Sequence, residues 1–191
     1  MFENPVNPFH NKHVLEDCAT DKKTFLRQYD AALSRFKSVQ FKGIIFRVLA
    51  KILRRRAFLY DLNEIKPRLN LQGSHYCGVK VVQLDAIIGT EGKASDFDTG
   101  FHPRNEASRE RWVNVAMEYL CCFALPPVQL TQIGDAYFVR DGHHRISVAR
   151  AFGQMSIDAE VVTWNALPPF PWQPLAIVEP ARMQQQANLS A

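Results

Sequence analysis

Residues 128–163 read VQLTQIGDAYFVRDGHHRISVARAFGQMSIDAEVVT, and this stretch decides the fold. Two alternating runs, 128–133 and 136–140, flank Gly134-Asp135, a pairing that predicts a β-hairpin closed by a two-residue turn. The pattern then changes period. Ile146, Ala149 and Phe152 recur every three residues, and Gly153 follows as a stop signal, so a helix is predicted to begin near 143. The run 157–163 predicts a returning strand. Working outward, 79–84 (VKVVQL) reads as a strand and 85–104 as a Gly- and Asp-rich loop. A helix near 106–122 carries Trp112, Val115, Ala116, Tyr119, Leu120 and Phe123 on one face, and Pro126-Pro127 stops it. The order β–loop–α–β–β–α–β predicts an α+β domain with a small mixed sheet.

The start of the helix near 143 poses a chemical question. Its first turn holds His143, His144 and Arg145, three potential cations at the positive end of a helix dipole. Stability alone favours acids there. An anion resolves the conflict, because the unpaired first-turn N–H groups form a cradle for phosphate. Gly142 permits close approach, Arg145 offers a forked pair of donors, and a histidine donates from a ring nitrogen. Asp141 competes for the same N–H groups, so it is expected either to cap the helix or to face the phosphate through a divalent cation such as Mg²⁺.

The segment LPPVQLTQIGDAYFVRDGHHRISVARAFG with the following IDAEVV resembles the ParB/sulfiredoxin-like domain, and LDAIIGTEGKASDFDTGFHPR upstream resembles a bacterial subgroup of ParB-like proteins. The resemblance covers about residues 79–163. In ParB proteins a Gly-Glu-Arg-Arg box contacts nucleotide phosphates, which implies the same role for Gly142, His143, His144 and Arg145. In sulfiredoxins the catalytic Cys follows the box glycine. His143 stands there instead and none of Cys18, Cys77, Cys121 or Cys122 falls in the box, so that chemistry is not expected. ParB-like free serine kinases carry an Asp-Gly-His box similar to Asp141-Gly142-His143, which implies phosphoryl transfer. ParB's downstream helix-turn-helix region has no counterpart in the short, Pro-rich C-terminal stretch, so sequence-specific DNA partitioning is not expected.

The loop 85–104 adds carboxylates: Glu91, Asp96 and Asp98, beside Lys93, His102 and Arg104. Phosphoryl transfer needs positioning, Mg²⁺ ligands and at most one carboxylate base. Asp96 and Asp98 are the candidate Mg²⁺ ligands and Glu91 the candidate base. The alternative is that both aspartates shape a turn while Phe97 and Phe101 anchor it to the core.

Residues 1–78 have a different character. They carry 14 Lys/Arg against 7 Asp/Glu, whereas residues 79–163 carry 8 against 11. After a loose arm over 1–20, Phe25, Tyr29, Ala32, Phe36 and Val39 mark an amphipathic helix, and Gly43 is expected to separate it from a second one. Between Phe41 and Arg56 lie Lys42, Arg47, Lys51, Arg54, Arg55 and Arg56 with no acid. Lys51 and Arg54–Arg56 are candidate contacts for nucleic-acid phosphates, an anionic membrane surface or an acidic partner. Any DNA binding is expected to be nonspecific, since no groove-reading element is present. Ile44, Leu49 and Leu53 are expected to pack on the 79–163 domain or on a second copy of the chain. Pro67 and LQGSHYCG (71–78) read as a connection, and 164–191 as a Pro-rich strap and tail.

Composition limits the classes. An apolar fraction of 47% and a charged fraction of 22% are those of a globular chain rather than a disordered one. The N-terminal MFENPVNPFHNKH does not read as a signal peptide, and GIIFRVLAKIL is too short and charged to span a bilayer, so a cytoplasmic protein is expected. The four cysteines lack zinc spacing. Two functional readings follow: a Mg²⁺-dependent nucleoside triphosphatase or small-molecule kinase acting on a bound nucleoside tri- or diphosphate, or a non-enzymatic module that binds a nucleotide or, through helix 42–56, DNA.

Overall fold

The computed structural model describes residues 22–173. It is an α+β structure: a long helix, α1 (Lys22–Ile52), precedes a six-stranded mixed sheet. The strands are β1 (Tyr60–Asp61), β2 (Leu71–Gln83), β3 (Ile87–Thr90), β4 (Val128–Ile133), β5 (Ala136–Asp141) and β6 (Ser156–Ala166), arranged β1-β3-β5-β4-β6-β2. A one-turn helix, α2 (Leu62–Ile65), follows β1; α3 (Arg109–Leu120) precedes β4; and α4 (His143–Ala151) joins β5 to β6.

The hairpin forms as its turn chemistry requires, with Ile133 opposite Ala136 across Gly134-Asp135. β3 lies parallel to β5 on one side and β6 parallel to β4 on the other, while β2 closes the far edge antiparallel to β6. Alternation along the strands gives the sheet two buried faces. On one, Val128, Leu130, Val139 and Val161 pack with Ile146 and Ala149 of α4 and with Phe97 and Phe101 of the loop. On the other, Ile133, Ala136 and Phe138 pack under Phe170, whose ring stacks on Trp172 at 5.1 Å. The strap after β6 is thus the cover of the sheet's second face as far as Gln173. The arm 1–20 and the tail beyond 173 lie outside the described residues.

A third cluster joins the helices. Ala32, Phe36 and Val39 of α1 pack on Trp112, Val113, Val115, Ala116 and Met117 of α3, with Val148 of α4 beneath. Phe36 and Trp112 lie 5.5 Å apart, and Trp112 Nε1 donates to Ser147 Oγ at 2.8 Å, so even the buried indole nitrogen is satisfied.

Three expectations are corrected. Gly43 does not separate two helices; α1 runs through it without interruption. The residue is there for proximity, since a Cβ would lie 2.6 Å from His102 Cβ and 2.9 Å from Arg47 Nη1. And 71–78 is not a connection but the first part of β2, the 13-residue edge strand. Its glycines mark irregularities rather than a turn: the register shifts between Leu71 and Gly73 and again between Tyr76 and Val79. A further strand, β3, lies inside the segment expected to be all loop, where Ile87–Thr90 pairs with both β1 and β5.

Candidate functional site

Two side chains of one loop organise the candidate site, and they point to different helices. Asp98 is fully buried and accepts four hydrogen bonds. Its Oδ1 takes the backbone N–H of Gly100 (2.9 Å) and of His102 (3.0 Å) and the His102 Nδ1 (2.9 Å); its Oδ2 takes Arg47 Nη1 of α1 at 3.0 Å. A carboxylate has about four lone-pair sites, so Asp98 is filled. A divalent ion would have to displace Arg47 or His102 to reach it. Its observed task is to fold the loop back on itself and tie it to α1 where Gly43 leaves room.

The neighbouring Phe97 faces the start of α4. Its ring stacks on His143 (5.7 Å, 21° between planes) and meets His144 edge-on (5.3 Å). His143 is buried, with Nε2 2.6 Å from the Thr90 hydroxyl. That hydroxyl also donates to the Val139 carbonyl at 3.3 Å. With its proton so placed, the hydroxyl is free to accept from His143 Nε2–H. Burial, then the Lys93 charge, then His144 push the His143 pKa down to about 4, against the pull of Asp141. His144 is lowered to about 4 by burial, then Lys93, then Arg111, with Asp96 and Asp141 opposing. Its Nδ1 is buried with no hydrogen-bond partner.

Arg145 is also buried, and its guanidinium is committed inward. Nη1 donates to the carbonyls of Pro126 (2.6 Å) and Pro127 (2.7 Å), and Nη2 to Asp141 Oδ2 at 2.6 Å. Burial lowers its pKa, and Asp141 with Glu118 of α3 opposes the shift. Arg145 therefore fastens the stretch before β4 to the first turn of α4. Of the three potential cations at the helix start, two are neutral rings and the third is tied to backbone and carboxylate.

Asp141, in turn, is drawn sideways. It is largely exposed and pairs with Arg145, and no side chain caps the N-terminus of α4. Gly142 occupies the cap position at φ +100°, a left-handed conformation that glycine adopts without strain. A Cβ there would also come within 2.5 Å of Val128 Cγ1. The sequence left Asp141 two roles, helix cap or partner of a shared cation; the first is not taken up.

The remaining candidates are dispersed. Glu91 leaves β3 with its N–H on the Val139 carbonyl and its carboxylate accepting from the Thr131 hydroxyl. Asp96 is half-buried and accepts from the Ser95 hydroxyl at 3.3 Å, while Arg104 holds the Ser95 carbonyl at 2.8 Å. Among the described residues no group of three or more His, Cys, Asp or Glu gathers in metal-binding geometry. At the end of α1, Arg56 donates to the Phe58 and Leu59 carbonyls and lies over the Tyr60 ring at 3.6 Å, whereas Lys51, Arg54 and Arg55 point to solvent.

Thr90, Arg47, Arg111 and the Pro126 and Pro127 carbonyls contribute to the site without being legible as such in the sequence. Of these Arg111 matters most, and it acts together with Lys93. Both are exposed, both act on His144, and neither makes an ion pair or hydrogen bond among the described residues. Lys93 stands in the same Gly-flanked loop as the carboxylates, so its place was legible; Arg111 sits on the polar side of α3 with no local signal.

Comparison with known proteins finds no matching family model, no similar curated protein and no similar solved structure.

Proposed function

We propose that the protein binds the phosphate of a nucleotide at the N-terminus of α4. The observation that carries this reading is the uncapped helix start: Asp141 is turned onto Arg145, and the first-turn donors keep no side-chain partner. An anion is the natural complement of such donors. Lys93 and Arg111 supply exposed positive charge on the loop and α3 sides, and the buried His144 Nδ1 has no hydrogen-bond partner. The likeness of Asp141–Arg145 to a ParB-type box agrees with the same assignment.

Binding without turnover is the version the carboxylates favour, since Glu91 and Asp98 are both engaged within the protein. A Mg²⁺ carried in with the nucleotide would draw on Asp96 and Asp141, the two carboxylates whose charge acts on His144. Such an ion would neutralise phosphate charge.

Calorimetry and thermal shift with nucleoside mono-, di- and triphosphates, with and without Mg²⁺, test the reading. Nucleotides raise the unfolding temperature, and Lys93→Ala with Arg111→Ala weakens the affinity about tenfold, the scale of removing a charge-assisted hydrogen bond at a partly exposed site. Arg145→Ala is not a clean probe, because it also releases the Pro126 and Pro127 carbonyls. Affinity rises on acidification, because a bound anion lifts the histidine pKa values and binding takes up protons. If no nucleotide stabilises the protein under any of these conditions, the proposal fails; Mg²⁺-dependent phosphate release would replace the binding module with an enzyme.

A further inference from the structure

The second half of α1 breaks the ordinary pattern of a surface helix. Phe41, Ile45, Val48 and Ile52 follow 4-3-4 spacing and so share one face. At about 100° per residue that face lies opposite Val39, Gly43 and Ala50, the residues α1 buries. All four are open to solvent: Phe41 63%, Ile45 44%, Val48 54% and Ile52 69% exposed, with Ile44, Leu49 and Leu53 widening the patch. Scattered exposed apolar residues are ordinary, but a contiguous set of this size marks a surface built for contact. Basic groups border it. Arg47 and Arg56 are held within the protein, but Lys42, Lys51, Arg54 and Arg55 are exposed, and no acid lies between Phe41 and Arg56.

We propose that this face of α1 docks on an anionic lipid surface, with Phe41, Ile45, Val48 and Ile52 in the headgroup–acyl boundary and Lys42, Lys51, Arg54 and Arg55 on lipid phosphates. The two features together select the partner. A nucleic acid answers the four cations but leaves the apolar residues in water. A second copy answers the apolar residues but brings two sets of cations together with no acid from this segment to neutralise them. An anionic bilayer answers both. The mode is interfacial, since no helix among the described residues is long and apolar enough to cross a membrane.

Flotation of the full chain with vesicles tests the assignment, using phosphatidylcholine alone and phosphatidylcholine mixed with phosphatidylserine. Binding is expected only to the anionic vesicles and weakens with added salt. The Lys51→Ala, Arg54→Ala, Arg55→Ala variant lowers partitioning about 100-fold, as the loss of three basic residues near a charged leaflet implies. The Ile45→Ser, Val48→Ser, Ile52→Ser variant lowers it by a similar factor, while its circular dichroism and unfolding temperature match the parent chain. Failure of the parent chain to bind anionic vesicles overturns the proposal. So does undiminished binding by the serine variant, which would reduce the contact to headgroup attraction. A dimer in sedimentation that the serine variant dissociates, without vesicle binding, would give the face to a second copy. Retention on duplex DNA without vesicle binding would give it to nucleic acid. Either result overturns the lipid assignment.

Discussion

The two halves of α1 are one helix built on opposite plans. In the first, Ala32, Phe36 and Val39 are buried on Trp112 and its neighbours, and the outward positions Lys23, Arg27, Asp30, Ser34 and Lys37 are polar. In the second, the inward contacts are Gly43 against His102 and Arg47 on Asp98, and the outward positions are Phe41, Ile45, Val48 and Ile52. An amphipathic helix ordinarily aims its apolar stripe at the core. The first half obeys and the second inverts the rule. The inner seam of the second half is polar because it must meet a filled aspartate. Its outward apolar residues join none of the core clusters of the described fold, and their retention on the outside is what calls for a partner.

If the first half is the true anchor, its loss is the costliest. Phe36→Ala removes a ring with no solvent exposure that touches Trp112 and is expected to destabilise the protein by about 3–5 kcal/mol in urea unfolding, the range for deleting a buried aromatic side chain. A cost below about 1 kcal/mol would mean that α1 is held mainly by its second half, reversing the comparison.

The polar seam comes next. Asp98→Asn keeps the shape but removes the charge shared by Arg47 and His102, and it leaves a donor among donors. It is expected to cost about 3 kcal/mol, the scale of breaking a buried pair. Gly43→Ala probes the same contact from the helix side. Alanine gains about 1 kcal/mol of helix propensity at an exposed site, yet here its methyl meets His102 Cβ at 2.6 Å, so the substitution is expected to destabilise. Stabilisation by Gly43→Ala in a thermal melt would show that the glycine is incidental.

Local chemistry made much of this legible, and its limits were equally local. The hairpin at Gly134-Asp135, the helices near 106–122 and 143, and the strand after Gly153 follow from periodicity and turn residues that mean the same thing in isolation and in the fold. Gly43 and the glycines of 71–78 resist such a reading because their reasons are tertiary: a close approach by His102 in one case, bulges against β6 in the other. The site divides the same way. Asp141–Arg145 could be picked out because unusual residues crowd a helix start. That Arg145 would take the Pro126 and Pro127 carbonyls, or that Asp98 would face Arg47 51 positions earlier, depends on pairings no spacing encodes.

The Asp98 loop also carries Phe97, so the seam under α1 continues into the histidines of α4, and acid titration reads that continuation. Both rings have native pKa values near 4 because burial penalises the cation, with Lys93, and at His144 also Arg111, adding repulsion. Unfolded, each returns to about 6.5. Between those limits the unfolded chain binds more protons, so stability is full above about pH 6.5 and falls as pH drops toward 4. The loss expected is about 3 kcal/mol per ring over that window. His143→Gln halves the slope, measured as urea midpoints at a series of pH values. A bound phosphate, by raising the native pKa values, flattens the limb as well. A slope unchanged by His143→Gln would show that the ring is already charged or already solvated.

The smallest effect is the sharpest test of the inversion in α1. Val48→Ser removes an apolar side chain from a helix in the middle of its sequence, where core logic predicts a loss of several kcal/mol. The structure places Val48 outward between Ile45 and Ile52 with more than half its surface in water. The expected change in unfolding free energy is therefore within about 0.5 kcal/mol, the ordinary scatter of surface substitutions. Set beside Phe36→Ala in the same helix, the pair gives a ratio rather than an absolute number, so errors in the denaturant extrapolation largely cancel. A large cost at Val48 would mean that the face is covered within the chain itself, and the apolar stripe would then be core after all.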